Sequence, residues 1–272
     1  MANLRALKVR AIRIQHTLAK QIQFSAAHYG LYALYCTSMA LDFSTRSAEP
    51  EIMDDFHMSG HLLRESIDQI AGVNTWLGGD QTTFAGIERF IQPNQTITIV
   101  DIGCAGGHLC RKIAKWASKK QLQVQIIGID ANEDAIQYAQ EQSKTFNNIH
   151  YQCANVFDPN FDFPTADIAV CTLTLHHFSN EEIVQLMNLI QPKLRLGIVI
   201  NDLHRSRLAY RLYQLVCFVF GLNKMLRHDG CISILSGFKR KELEAFSHQL
   251  KLKNHSIRWR WAFRYQWIIP AS

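Results

Sequence analysis

The chain has 272 residues, 47% of them hydrophobic, which allows one large core or one core with a smaller appended element. Its formal net charge of +6 is concentrated at one end: residues 1–41 hold Arg5, Lys8, Arg10, Arg13 and Lys20 and no acid, so the rest is close to neutral. A global field steering an acidic partner to the body of the protein is thereby excluded.

Seven cysteines (Cys36, Cys104, Cys110, Cys153, Cys171, Cys217 and Cys231) form no CxxC pair and lie mostly in apolar stretches. That pattern fits a reduced, cytoplasmic protein rather than a disulfide framework or a cysteine zinc site. His57 and His61 have the spacing of two helical metal ligands, but no third ligand cluster follows them. They read as a solvated helix face, and no metal site is expected.

Residues 1–52 read as an N-terminal helical extension. Leu4, Leu7, Ala11, Ile14 and Leu18 recur at helical spacing between the basic residues, and an uncharged run from Phe24 to Leu41 follows. Organelle targeting, a membrane-surface helix and a signal anchor compete with a plain extension. His28, Gly30, Thr37 and Ser38 weaken the anchor. Residues 53–94 read as a helical cap, with Leu62, Leu63, Ile67 and Ile70 on one stripe and a break at Leu77-Gly78-Gly79.

From residue 95 to 272 short apolar strands alternate with amphipathic helices, the signature of an α/β fold with a doubly wound, mostly parallel sheet. The strands are ITIVDIG, VQIIGID ending at Asp130, NIHYQCA, DIAVCTL from Asp167 and LGIVIND ending at Asp202. Leu109, Ile113 and Trp116 form one helical stripe. Ser179 and Glu182 form a capping box before Ile183, Leu186, Met187 and Ile190. A helical insertion at 204–237 is apolar from Leu212 to Phe220 and too short to span a bilayer, which suits the interior helix of a lid. The last segment, SIRWRWAFRYQW, alternates aromatic with arginine as a half-buried edge strand or hairpin does, placing its arginines on the wet face.

The first turn of the sheet domain, VDIGCAGGH, narrows the ligand. A dinucleotide fingerprint requires GxGxxG, and a P-loop requires Lys and Ser or Thr after its last glycine; Gly103-Cys-Ala-Gly-Gly-His supplies neither. A nucleoside with a cationic part near the acid-tipped turn and a ribose near the second strand's acid remains. S-adenosylmethionine has that description.

The chain resembles the class I S-adenosylmethionine-dependent methyltransferases, of the small-molecule type that includes the ubiquinone and menaquinone methyltransferases. DIGCAGGHL is similar to their DxGxGxG motif, with Ala105 at the middle glycine, which a negative φ would tolerate. IGIDANEDAIQYA, CANVFD and LTLHHF resemble the next three motifs. The resemblance implies a seven-stranded Rossmann-like sheet and S-adenosyl-L-methionine as cofactor. It implies cofactor contacts from Asp101, Gly103, Cys104, Ala105 and Gly107, and from Asp130 and Ala131, with Asp130 on the ribose hydroxyls. Asn155 and Val156 would hold the adenine; Thr172 and His177 would line the methionine end.

The ends of the fourth and fifth strands and the RHDG stretch then offer His176, His204, His228 and Asp229 for catalysis, with His204 the leading base and Asp229 orienting an imidazole. The implied reaction is methylation of a small hydrophobic acceptor, foremost a hydroxyl of an aromatic, quinone-like or polyketide compound. A non-catalytic cofactor-binding scaffold protein is the rival reading, and a nicotinamide oxidoreductase a weaker third. The [ND]PP[YFW] signature of amide and adenine methyltransferases is absent where CTLTLHH stands, so no nucleic-acid partner is expected. Arg205, Arg207, Arg211 and Arg227 beside the apolar insertion would suit peripheral membrane contact.

Overall fold

The computed structural model describes residues 41–92 and 95–271, so the readings of residues 1–40 lie outside the described residues. Among the described residues seven strands build one sheet: β1 (Thr96–Ile102), β2 (Gln123–Asp130), β3 (Ile149–Cys153), β4 (Ala166–Thr172), β5 (Leu194–Leu203), β6 (Ser256–Arg260) and β7 (Arg264–Pro270). Their order is β3-β2-β1-β4-β5-β7-β6, and only β7 runs antiparallel to its neighbours β5 and β6. The order reverses between β1 and β4, which opens a crevice beyond the carboxyl ends of those two strands.

Strand β1 shows why the central strands read as unbroken apolar runs. Ile97 and Ile99 face one layer with Cys110 and Ile113, while Val100 and Ile102 face the other with Leu175 and Ile183. A parallel strand covered on both faces has no wet side to alternate toward. The first layer contains α3 (His108–Lys119), whose Trp116 stacks on Phe84 of α2 (Gly79–Ile87) at 5.4 Å. The second contains α5 (Asn180–Ile190), whose capping box is formed as read: Ser179 accepts from the Glu182 amide and Glu182 from the Ser179 amide. Helix α4 (Glu133–Gln142) follows β2, with Asn132 as its N-cap.

Residues Phe43–Ser272 form one compact unit, so the stretch from Phe43 to Ile52 packs with the sheet. Arg46 donates to the Ser236, His176 and Phe178 carbonyls, and the Asp229 carboxylate accepts from the Ile52 and Met53 amides. Helix α1 (His61–Trp76) buries Leu63 and Ile67 but leaves Leu62 46% exposed. Leu62 stands about 100° around the helix from Leu63 and leaves the stripe.

Two sequence expectations need correction. The insertion forms α6 (Arg207–Val219) and α7 (Lys224–Ser236), followed by α8 (Arg240–Gln249), and α6 is not interior. Cys217 joins Val73, Leu222 and Leu226 on its inner side, while Leu208, Leu215 and Phe218 face outward, Phe218 79% exposed. A 13-residue helix with a neighbour on one side buries one stripe only.

The terminal segment is a hairpin whose arginines do not all face water. Arg264 is 2% exposed, whereas Trp259 and Trp261 stand out at 46% and 66%. The alternation rule assumes one wet face, but β7 lies between β5 and β6 and is covered on both sides. No described helix is long and apolar enough to cross a membrane.

Candidate active site

The turn after β1 is held by main-chain bonds to β2: the Gly103 and Cys104 amides donate to the Ile129 carbonyl, and the Ala105 amide to Asp130 Oδ2 at 2.8 Å. Gly103 has a left-handed φ of 71°, and a Cβ there would lie 2.3 Å from the Thr174 side chain. Glycine is required on both counts. Ala105 also has a left-handed φ, 43°, correcting the negative φ expected for it. Its methyl is therefore accommodated at a cost of about 1 kcal/mol.

This turn floors a cavity of about 520 Å³ that reaches to the Ser233 side of α7, a size suited to a nucleoside cofactor and a small acceptor. Of the residues expected to bind cofactor, Asp101, Gly103, Cys104, Ala105, Asp130, Ala131, Asn155, Val156, Thr172 and His177 all line it. Gly107 does not: it is the N-cap of α3, and a Cβ on it would run into the Tyr151 ring. Gly106 lines the cavity in its place. The oxygen of Asn155 expected to meet adenine already accepts from the Phe157 amide at 2.9 Å, leaving one lone pair.

Of the four catalytic candidates, His176 alone lines the cavity. His204 sits on the hairpin side, where its amide donates to the Phe263 carbonyl and its Nδ1 lies 3.3 Å from Trp259 Nε1. His204 is bridged to Phe238 directly after β5, and its ring packs against Phe263 and Tyr265. Burial, then Arg205 and Lys239, lower the His204 pKa. His228 and Asp229 form a pair at 2.9 Å outside the cavity. Asp229 is committed there to the Ile52 and Met53 amides, so its role is to anchor that segment.

The electrostatics of the cavity are acidic. Burial pushes the Asp101 carboxyl up to about 7 although it accepts from the Cys110 thiol at 3.2 Å. Burial also raises Asp130, against the opposing pull of the Asn132 and Ala105 amides. Glu51, Asp54, Asp80, Asp101, Asp130 and Glu182 line the cavity against one ammonium, Lys112, which Asp80 holds at 2.7 Å. Such a lining suits a sulfonium and repels a pyrophosphate. Asp130 keeps a lone pair on each oxygen for the two ribose hydroxyls. The residues present thus fit S-adenosylmethionine.

Beyond Thr174 the cavity is lined by a histidine–carboxylate cluster that sequence reasoning saw only in part. His176, 4% exposed, sets Nδ1 2.7 Å from Asp202 Oδ1 and Nε2 3.4 Å from Glu51 Oε1. Burial works against its charge, but Asp202 and Glu51 outweigh it and raise the imidazole to about 10. His177 Nδ1 lies 2.7 Å from Asp54 Oδ1. Burial raises the Asp54 carboxyl, yet the His177 bond prevails and its net displacement is downward. Glu51, Asp54 and Ser233 went unnoticed because only tertiary packing brings them here. The acidic run EPEIMDD before the cap carried the one available hint.

Comparison with known proteins agrees with this geometry. Residues 99–197 match the family model of a methyltransferase domain. Over 95 residues, 34% of this chain, there is 30% identity to the mitochondrial ubiquinone biosynthesis O-methyltransferase of Saccharomyces cerevisiae; the alignment spans 28% of that relative's length. Among solved structures, the plantazolicin methyltransferase BpumL in complex with SAH superposes with a TM-score of 0.57 at 16% identity, covering 78% of this chain and 94% of that one. A SAM-dependent methyltransferase from Aquifex aeolicus gives 0.51 at 12% identity, covering 70% and 89%. These two likenesses are of fold. The fold is that of the class I S-adenosylmethionine-dependent methyltransferases, and residues 99–197 match a methyltransferase domain.

Proposed function

We propose that the protein transfers the methyl group of S-adenosylmethionine to an oxygen of a small hydrophobic acceptor, a hydroxyl of an aromatic, quinone-like or polyketide compound. One observation carries this reading: a single cavity is lined by the Gly103–Gly106 turn and Asp130, by an apolar wall and by the histidine–carboxylate cluster. The wall is made by Met53, Phe56, Leu63, Ile67, Phe157 and Phe178. Bound cofactor supplies an activated methyl on a sulfonium. The protein's own part is to fix the acceptor in line with that methyl against a mostly apolar wall, and to take up the hydroxyl proton at the cluster formed by His177 and Asp54.

The yeast relative, an O-methyltransferase of ubiquinone biosynthesis, supports an oxygen acceptor. Such acceptors partition into membranes. The outward face of α6, with Leu208, Leu212, Leu215 and Phe218 beside the exposed Arg207 and Arg211, supports peripheral contact with a membrane surface.

The test is incubation of the protein with methyl-labelled S-adenosylmethionine and a panel of phenols and quinols, followed by product mass spectrometry. The expected result is a labelled monomethyl ether of at least one acceptor. Tight cofactor binding with no labelled product across phenols, quinols and a lipid extract would leave the scaffold reading in its place.

A further inference from the structure

The part of the cavity lined by Glu51, His176 and His177 has the geometry of a metal centre. Glu51 Oε1 lies 3.4 Å from His176 Nε2 and 3.8 Å from His177 Nδ1, and these three atoms fall within 4.8 Å of one another. Ligand atoms around a tetrahedral cation at about 2.0–2.2 Å stand roughly 3.3–3.6 Å apart. Small side-chain shifts close the set on a cation.

The groups behind the three are those that hold metal ligands in place. Asp202 Oδ1 takes the His176 ring nitrogen that faces away from Glu51, fixing the tautomer whose Nε2 is free to ligate. Asp202 is itself fixed by the Leu203 amide at 2.7 Å. The Ser233 hydroxyl donates to Glu51 Oε1 at 2.6 Å, orienting the carboxylate. Among the described residues, the ion-pair partners of Glu51, Asp54 and Asp202 are these two histidines. Three carboxylates converge on two imidazoles in a largely buried place, Arg46 and Arg264 act on Asp202 from outside the cluster, and a divalent cation would balance the carboxylates Glu51 and Asp54.

We propose that Glu51, His176 and His177 bind one divalent transition-metal cation, with a coordination position open to the cavity for the acceptor's hydroxyl oxygen. Two imidazoles and a carboxylate favour zinc or a neighbouring first-row ion over magnesium or calcium. This centre rests on the proposed methyl transfer for its purpose. A cation on the acceptor oxygen lowers the hydroxyl pKa; ligation by His177 Nδ1 releases the 2.7 Å bond that this nitrogen makes to Asp54 Oδ1, which frees that carboxylate for the proton. The oxygen then forms its bond to the methyl carbon, the carbon–sulfur bond breaks with its electron pair on sulfur, and the hydroxyl proton ends on Asp54. No oxidant or further reactant is needed. The alternative is a metal-free network in which a proton on His176 joins Glu51 and Asp202.

The experiment uses the full chain, stripped with chelator, titrated with Zn²⁺ against a chromophoric chelator and separately loaded with Co²⁺ for its visible absorption. One tight equivalent is expected, with the intense bands of a four- or five-coordinate nitrogen and oxygen site. Glu51→Gln and His177→Ala should each weaken Zn²⁺ binding by about 100-fold or more. Neither replaces the fully buried His176, and circular dichroism of each verifies folding. Absence of tight Zn²⁺ binding, or binding undiminished in both variants, overturns the metal centre. Calorimetry with S-adenosylhomocysteine on the same samples separates the two proposals: retained binding without metal removes the centre alone, and metal binding without nucleoside binding removes the methyl-transfer reading.

Discussion

The two ends of the cavity are built in opposite ways. The cofactor end is local: the turn after β1 and Asp130 at the tip of β2 lie on neighbouring parallel strands, tied by backbone bonds. The acceptor end is assembled from afar, and the Ser233–Glu51 bond joins residues 182 positions apart. A nucleoside can be recognised by backbone geometry, which a short motif encodes. An acceptor is met by side chains that only the finished fold assembles.

The sharpest way to break this contrast is at the local end. Gly103→Val forces a branched side chain into a left-handed φ and against Thr174. S-adenosylhomocysteine affinity should fall by about 100-fold or more, equivalent to roughly 3 kcal/mol. Calorimetry showing unchanged affinity would detach the turn from the cofactor.

A second test uses pH. The folded chain holds the Asp101 proton up to about pH 7, whereas an unperturbed aspartate releases it near 3.8. The folded state therefore binds the extra proton inside that window, and this group's contribution to stability falls as pH rises from about 4 to about 7. Asp101→Asn should remove up to about 1.4 kcal/mol of that loss for each pH unit. Parallel Tm–pH curves for wild type and variant would contradict the burial argument.

Smaller still is Ala105→Gly. Relief of the left-handed alanine should stabilise the chain by up to about 1 kcal/mol, offset in part by the freer unfolded chain. A lower Tm would show that the methyl is needed. The smallest expected effect is at His204, which lies outside the cavity. His204→Ala should leave turnover within about twofold of wild type, and a large loss would return this residue to the chemistry.

These contrasts explain what could be read beforehand. The central strands were legible because burial on both faces writes continuous apolar runs, and α5 because Ser179 and Glu182 mark its start. The first turn was legible because its glycines answer to backbone geometry. The hairpin misled because β7 is interior, so the arginine parity that promised a wet face places Arg264 in the core. His204 misled because proximity to the end of β5 in sequence says nothing of the hairpin side chains, Trp259, Phe263 and Tyr265, that surround its ring. Glu51 and Asp54 carry no periodic signal and reach the histidines only when the Asp229 carboxylate captures the Ile52 and Met53 amides.

The central claim is that this crevice seats a sulfonium nucleoside with its methyl directed at the histidine–carboxylate end. A crystal structure with S-adenosylhomocysteine tests it most directly. The account predicts ribose hydroxyls on Asp130, the nucleoside against Gly103–Gly106 and sulfur facing His176 and His177. A ligand bound elsewhere, or one whose sulfur points away from the histidines, would contradict it.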